Sequence, residues 1–376
     1  MIHLTGYQIR HILYQGLRTE VYCGTRKHDR QPVIIKVMRN PNPNFNELAQ
    51  FRNQYIITRE LEHSSIVRPL ALERYGNGYA LVMPDDGAIV LNEYWQQRNG
   101  SISEFLTIAI QLADALHYLH QQRIIHKDIK PANILIAPET GQVQLIDFSI
   151  SSLLPKEQQQ LINPNVLEGT LAYISPEQTG RMNRGIDYRT DFYSLGVTFY
   201  ELLAGQLPFT AEDSMELVHC HLAKIPSLGC ENPTRNPVSQ RNRVSGVSGT
   251  LPQAIGEIIL KLMAKNAEDR YQSALGLKHD LQQCLQQWET HGAIETFVLG
   301  KRDLCDRFLI PEKLYGREQE VAQLLAAFDR VANPPKSPLT KGGLDVANPP
   351  KSPLGKLILT HIFLNNFKSL SSLGFA

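Results

Sequence analysis

Early in the chain, apolar, β-branched and aromatic side chains gather into two runs, 14–22 and 33–38, which predict strands, with Gly24 and Asp29 marking the turn region between them. Residues 46–62 switch period: Leu48, Phe51, Tyr55 and Leu61 fall where one helix face would bury them. A short apolar strand follows at 79–83 and ends in the breaker run Pro84-Asp85-Asp86-Gly87. Beyond it the pattern is mainly helical. Residues 103–122 carry Phe105, Ile108, Ala109, Leu112, Ala115, Leu116 and Leu119 at helical spacing, with Ser101 or Ser103 as N-cap. Two apolar runs, 134–136 and 143–146, flank Glu139-Thr140-Gly141 as the arms of a small hairpin would. Helical signals dominate from about 191 to 288, notably at 192–203 and 255–263. Strands first and helices afterwards imply an α+β arrangement. The expected lobes are a β-rich one over about 7–84, carrying one long helix, and a mainly helical one over about 88–290.

Residues 226–250 interrupt the helical pattern with Pro, Gly, Ser, Asn and Arg, and are expected to be a flexible insertion. Val331-Ala332-Asn333-Pro334-Pro335-Lys336-Ser337-Pro338-Leu339 recurs word for word at 346–354. Two such copies cannot stack into a solenoid, so 331–376 is expected to be a disordered Pro-rich tail with a minimal PxxP core for signalling partners.

Composition acts mainly by exclusion. Over 376 residues, 38 Lys plus Arg against 37 Asp plus Glu leave a formal charge of +1. That balance argues against a nucleic-acid or membrane-surface binder. The five scattered cysteines contain no CxxC pair, which argues against a zinc site or a disulfide framework. With no signal-sequence pattern at the start and no apolar stretch of spanning length, the expected location is cytoplasmic, without a membrane span.

Candidate chemistry concentrates in His126-Lys127-Asp128-Ile129-Lys130-Pro131-Ala132-Asn133. Moving a phosphoryl group onto a hydroxyl needs a carboxylate to orient the nucleophile and take its proton. It also needs a cation beside the transferring group and a metal ligand near the phosphates. Asp128, Lys130 and Asn133 supply these three types within six residues. The segment resembles the H-R-D-x-x-x-x-N catalytic loop of protein kinases, and Asp147-Phe148-Ser149 resembles their D-F-G element. Glu168-Gly169-Thr170-Leu171-Ala172-Tyr173-Ile174-Ser175-Pro176-Glu177 resembles the end of a kinase activation segment, and Val33-Ile34-Ile35-Lys36 resembles the V-A-I-K strand. Over roughly residues 7–290 the chain therefore resembles bacterial serine/threonine protein kinases of the Hanks type.

That resemblance implies a bilobal protein-kinase-like α+β fold, ATP and Mg2+ as cofactors, and protein substrates. By it, Asp128 is the catalytic base, Lys130 contacts the γ-phosphate, Thr170 bridges these two, and Asn133 and Asp147 hold the metal. Lys36 takes the α- and β-phosphates under a loop containing Gly16. Val21 and Ile34 lie above the adenine and Leu135 below it, with Met83 as gatekeeper. Glu177 pairs with Arg270, and Asp191 braces the catalytic loop; both roles are structural.

Four positions depart from the family pattern. In the phosphate-covering loop only Gly16 falls on a glycine position, with Tyr14 and Thr19 on the others. Counting places neutral Gln54 where the lysine-pairing glutamate belongs, with Glu47 and Glu60 as substitutes in another register. Lys127 replaces the arginine before the base, and residues 150–168 offer only Ser151 and Ser152 as acceptors, so little control by phosphorylation is expected there. Ser149 replaces the D-F-G glycine. Two alternatives stand beside an active kinase: a pseudokinase that responds to nucleotide, and an adaptor that recruits partners through its tail.

Further on, Leu314-Tyr315-Gly316-Arg317-Glu318 resembles the entry to AAA-type ATPase modules of large signalling kinases, but no G-x-x-x-x-G-K-[ST] loop follows. Residues 291–330 are thus expected to be a linker and the start of a truncated module, or equally a helix docked on the kinase.

Overall fold

The computed structural model describes residues 2–98, 100–153, 169–182, 184–227 and 251–304. The expected insertion from 228 onward, the Pro-rich tail and the AAA-like segment lie outside the described residues.

Five antiparallel strands build the small lobe: β1 (Tyr7–Gln15), β2 (Thr19–Arg26), β3 (Pro32–Met38), β4 (Ala71–Tyr75) and β5 (Gly78–Pro84), in spatial order β1-β2-β3-β5-β4. Because side chains alternate along each strand, the sheet has two distinct faces. Tyr22, Val33, Ile35, Val37, Ala80 and Val82 form the core of one face. On the other, Ile34, Leu81 and Met83 pack with Phe51 of helix α1 (Phe45–Thr58). Register pairs Val21 with Lys36 and Ile34 with Met83.

Residues 14–22 are not one strand as expected. A turn at Gly16-Leu17-Arg18 splits them, closed by the Gly16 N–H donating to the Thr19 carbonyl at 2.9 Å. Gly24, expected at a turn, instead sits inside β2, where an added Cβ would come within 2.8 Å of the Gln8 carbonyl oxygen. It is a close-approach glycine, not a turn residue.

Helix α1 begins with a capping box. The Asn44 side chain accepts from the Glu47 N–H at 3.0 Å, and the Glu47 carboxylate accepts from the Asn44 N–H at 2.9 Å. Such a cap is worth about 1 kcal/mol and sets where the helix starts. Its buried residues are Phe51, Gln54 and Thr58, so a polar amide shares the inward face.

The large lobe contains α2 (Leu91–Arg98), α3 (Ile102–Gln121), α4 (Arg189–Ala204), α5 (Ser214–Ala223), α6 (Gln253–Leu262) and α7 (Ala274–His291). Short strands β6 (Ile89–Val90), β8 (Ile134–Ile136) and β9 (Val143–Leu145) form one small sheet, and β7 (Ile124–Ile125) pairs with β10 (Ser152–Leu153). Ser101 caps α3 by accepting from the Glu104 N–H. Buried Phe105, Ile108, Leu112, Leu116 and Leu119 run through the middle of the lobe's core. α4 packs closely on α6 at Gly196, where a Cβ would meet the Leu262 and Met263 side chains at 2.8 Å.

The lobe continues past α7. Asp303 accepts from the Gln272 and Ser273 N–H groups at 2.8 and 2.7 Å at the start of that helix, and Asp280 accepts from the Gly300 N–H at 2.7 Å. Residues 292–304, expected to begin the linker, are thus tied to the lobe by buried and half-buried carboxylates. No helix among the described residues is long and apolar enough to cross a membrane.

Candidate active site

The site forms where β3 and α1 of the small lobe face the β7–β8 and β9–β10 connections of the large one. In the first connection, Asp128 has both carboxylate oxygens engaged. Its Oδ1 accepts from Thr170 Oγ1 at 3.0 Å and from the Thr170 N–H at 3.2 Å. Its Oδ2 accepts from Lys130 Nζ at 2.6 Å and Asn133 Nδ2 at 2.8 Å. Lys130 Nζ also reaches Thr170 Oγ1 at 2.5 Å. One carboxylate, one ammonium, one amide and one hydroxyl thus form a closed network in which the carboxylate orientation is fixed.

The backbone beneath this network is strained. Lys127 has φ 69° and Asp147 φ 65°, left-handed values that non-glycine residues rarely adopt. Each such conformation costs about 1–3 kcal/mol and persists only where surrounding contacts over-determine it. At Lys127 those contacts are Asp191, which accepts from the His126 and Lys127 N–H groups, and Gln178, whose Nε2 donates to the Lys127 carbonyl at 2.9 Å. His126 links the two strained points: its Nε2 donates to the Ile146 carbonyl at 3.1 Å, and its ring packs edge-on against Phe148 at 4.6 Å.

Asp147 faces the small lobe. Its Oδ2 lies 3.0 Å from Lys36 Nζ, which also donates to Gln54 Oε1 at 3.2 Å. Burial by itself would raise the Asp147 pKa. The Lys36 charge and hydrogen bond, with a hydrogen bond from Ser149 and the nearby His126, outweigh it and hold the carboxyl at about 2. Asp147 Oδ1 is sealed from solvent and has no hydrogen-bond partner. An anionic oxygen left this way fits a hard divalent cation, and Asn133, whose Nδ2 is committed to Asp128, keeps an amide oxygen of the same donor class.

Around this polar centre lie the apolar candidates. Val21 and Ile34 are half-buried on the sheet face that also carries Lys36 and Met83. Leu135 is half-buried on β8, between the fully buried Ile134 and Ile136. Gly16 sits at the hairpin turn, its Cβ position filled by the Tyr14 ring at 2.7 Å, and its carbonyl accepts from the Arg39 guanidinium at 3.0 Å. Farther off, Glu177 and Arg270 form a buried two-pronged pair at 2.6 and 2.8 Å.

A model of the protein kinase domain matches residues 7–284. The chain belongs to the protein kinase domain family. Its curated relatives include the serine/threonine-protein kinase PrkC of Bacillus subtilis, 32% identical over 281 residues that cover 73% of this chain and 40% of the relative. The serine/threonine-protein kinase PknB of Mycobacterium tuberculosis is 28% identical over 291 residues, covering 74% of this chain and 43% of the relative. The hybrid signal transduction histidine kinase G of Dictyostelium discoideum is 30% identical over 330 residues, 65% of this chain but 9% of the relative. The chain spans less than half the length of these relatives.

Within this kinase domain, Asp128, Lys130, Asn133 and Thr170 meet in one network, and Lys36, Gln54 and Asp147 in a second. Gln54, and neither Glu47 nor Glu60, contacts the lysine: Glu47 serves the helix cap and Glu60 bonds Arg59. Ser151 is buried and donates to the His126 carbonyl at 3.0 Å, so it is stitched to the β7–β8 connection and not displayed as an acceptor. Sequence reading missed Gln178, the partner of the strained Lys127, and Asn53, whose amide spans the two lobes. The one signal for Asn53 was a poor helix former in mid-helix.

Proposed function

We propose that the chain is an ATP-dependent serine/threonine protein kinase acting in bacterial signal transduction. The observation that carries this reading is the Asp128–Lys130–Thr170 network with Asn133 beside it. A protein hydroxyl arriving at Asp128 would be oriented by its carboxylate and give up its proton there as the phosphoryl bond forms. Lys130 offers positive charge for the transferring group, and its bond to Thr170 favours the serine/threonine form of the site. Lys36 would hold the α- and β-phosphates, exchanging part of its contact with Asp147 for them. Val21, Ile34 and Leu135 offer apolar surface to the adenine, with Met83 limiting the depth of its pocket. Gly16 would let the hairpin approach the phosphates. Glu177, Arg270 and Asp191 keep the lobe and the loop in shape.

Asn133 and Asp147 are the residues that would hold Mg2+, which when bound neutralises phosphate charge. Their oxygen donors, one of them orphaned and buried, support that assignment.

The test is label transfer from ATP to a protein acceptor, beside Asp128→Asn. Transfer well above the variant is expected; equal transfer would overturn the reading. A second reading, a nucleotide-responsive pseudokinase, is favoured by one observation: Lys36 meets a neutral amide at Gln54 where a carboxylate would add charge. Nucleotide binding without transfer would select it.

We also read the chain as cytoplasmic, where ATP is abundant, and as one part of a larger signalling protein. The AAA-like Leu314-Tyr315-Gly316-Arg317-Glu318 motif and the small share of histidine kinase G that is matched support this. Signalling partners would dock on the Pro-rich tail.

A further inference from the structure

Three backbone carbonyls of the segment that follows the metal-binding aspartate converge on one side chain. Asn53 Nδ2, on α1, lies 3.3 Å from the Phe148 carbonyl oxygen, 3.2 Å from that of Ser149 and 2.8 Å from that of Ser151. Only a donor group can face three carbonyl oxygens, its two N–H bonds shared among them, so chemistry fixes the orientation of this amide. The same segment continues into the catalytic loop: the Ser151 hydroxyl donates to the His126 carbonyl, and Ser152 pairs with Ile125 across β10 and β7. A continuous path therefore runs from α1 through Asn53 to residues 148–152 and on to His126, two residues before Asp128.

The neighbouring contact is weaker in kind. Lys36 to Gln54 is a single 3.2 Å bond between an ammonium and a neutral amide, with the lysine shared by Asp147. It gives α1 no net ionic attraction to the sheet. We propose that Asn53 is the positioning residue that locks α1 against the Asp147-Phe148-Ser149 segment, in place of a lysine–carboxylate pair. It touches neither nucleotide nor acceptor; it acts by donating to the carbonyls that set where Asp147 and the catalytic loop lie. This rests on the kinase reading for its kinetic consequence, but the clasp itself does not.

The test compares the full chain with Asn53→Ala and Asn53→Asp. Aspartate keeps the shape of asparagine but faces three carbonyl oxygens with two more, and can donate only when protonated. At neutral pH, kcat is expected to fall at least tenfold in both variants, with Asn53→Asp no better than Asn53→Ala. As pH is lowered through the carboxyl's titration, Asn53→Asp should recover relative to wild type and Asn53→Ala should not. Amide hydrogen exchange across residues 51–55 and 148–153 should quicken about tenfold in both variants at neutral pH. This readout does not depend on transfer. Faster exchange in the variants, with a wild-type protein that transfers no phosphate, would keep the clasp and reject the kinase reading. Wild-type kcat and unchanged exchange in Asn53→Asp would overturn the clasp.

Discussion

Asp191 accepts two consecutive backbone N–H groups, from His126 at 2.9 Å and from Lys127 at 2.8 Å, and thereby holds Lys127 in its left-handed conformation. The carboxylate is fully buried and lies 3.4 Å from His120 Nε2. No other side chain type does this job, because two parallel N–H groups require two acceptor oxygens on one short stem.

Asp191→Asn is therefore expected to be more than a loss of charge. The amide NH2 would confront one of the two N–H donors and leave it buried without a partner, at about 2–3 kcal/mol. For a lobe of this size the melting temperature should drop by about 4–10 °C. Phosphoryl transfer should fall further than that loss explains, since a relaxed Lys127 shifts Asp128. Thermal melts alongside kcat at a temperature where the variant is folded separate the two effects.

The Glu177–Arg270 pair stands on different ground. Both side chains are buried, and Arg270 also donates to the Ala264, Lys265 and Arg189 carbonyls, so every donor finds a partner. Removing one member strands the other's charge, which costs about 3–5 kcal/mol. Arg270→Ala should lower the urea midpoint sharply. Arg270→Lys should recover little, because one ammonium cannot replace a planar fork with this many fixed acceptors. Nucleotide affinity of the folded fraction should stay near wild type, as neither residue approaches Lys36 or Asp147.

The large-lobe half of the site was legible because three of its residues lie within six positions of one another in sequence. Asp128, Lys130 and Asn133 share one loop, and the chemistry of phosphoryl transfer asks for just those types. Gln54 was reached by counting along one helix, and in the structure its Oε1 accepts from Lys36 Nζ at 3.2 Å. The hairpin turn was not legible, because Tyr14, Val21 and Tyr22 are strand formers on either side and Gly16 alone marks the break. Gly24 misled for the opposite reason: the close approach of Gln8 that demands it is a pairing between strands. Asn53 was beyond reach of pattern, since its partners lie about ninety-five residues away and are carbonyls, which every residue possesses.

A buried histidine gives the fold a defined acid sensitivity. His221 is fully buried; Lys265 Nζ donates to the Tyr193 hydroxyl at 3.3 Å, and that hydroxyl lies 3.0 Å from His221 Nδ1. Burial, and then repulsion from Lys265, lower its pKa to about 4. A histidine whose folded pKa lies below the unfolded value near 6.5 is protonated first in the unfolded chain. Its share of stability is therefore intact at neutral pH and is lost as pH falls from about 6.5 toward 4, by up to about 3 kcal/mol. Wild type should thus lose melting temperature over that window faster than His221→Gln, which has nothing to protonate. Parallel curves for the two proteins would show that His221 is not the source.

Lys36 divides its contacts between Gln54 Oε1 and Asp147 Oδ2, and the sharing has a kinetic consequence. A carboxylate at position 54 would turn a hydrogen bond to a neutral amide into a charge-assisted one, typically about twice as strong. It would draw the ammonium toward α1 and weaken its hold on Asp147, leaving that carboxylate freer for a cation. Gln54→Glu is therefore expected to raise kcat/KM for ATP about fivefold, a gain of roughly 1 kcal/mol in transition-state stabilisation. The gain should shrink at high salt only slightly, because Lys36 and Gln54 are mostly shielded from solvent. Gln54→Leu, which keeps similar bulk and accepts nothing, should move kcat/KM the other way. Steady-state kinetics over a range of ATP concentrations distinguish these outcomes. A Gln54→Glu protein no faster than wild type would mean that the alignment of α1 is already complete through Asn53, and that the amide at position 54 costs this kinase nothing.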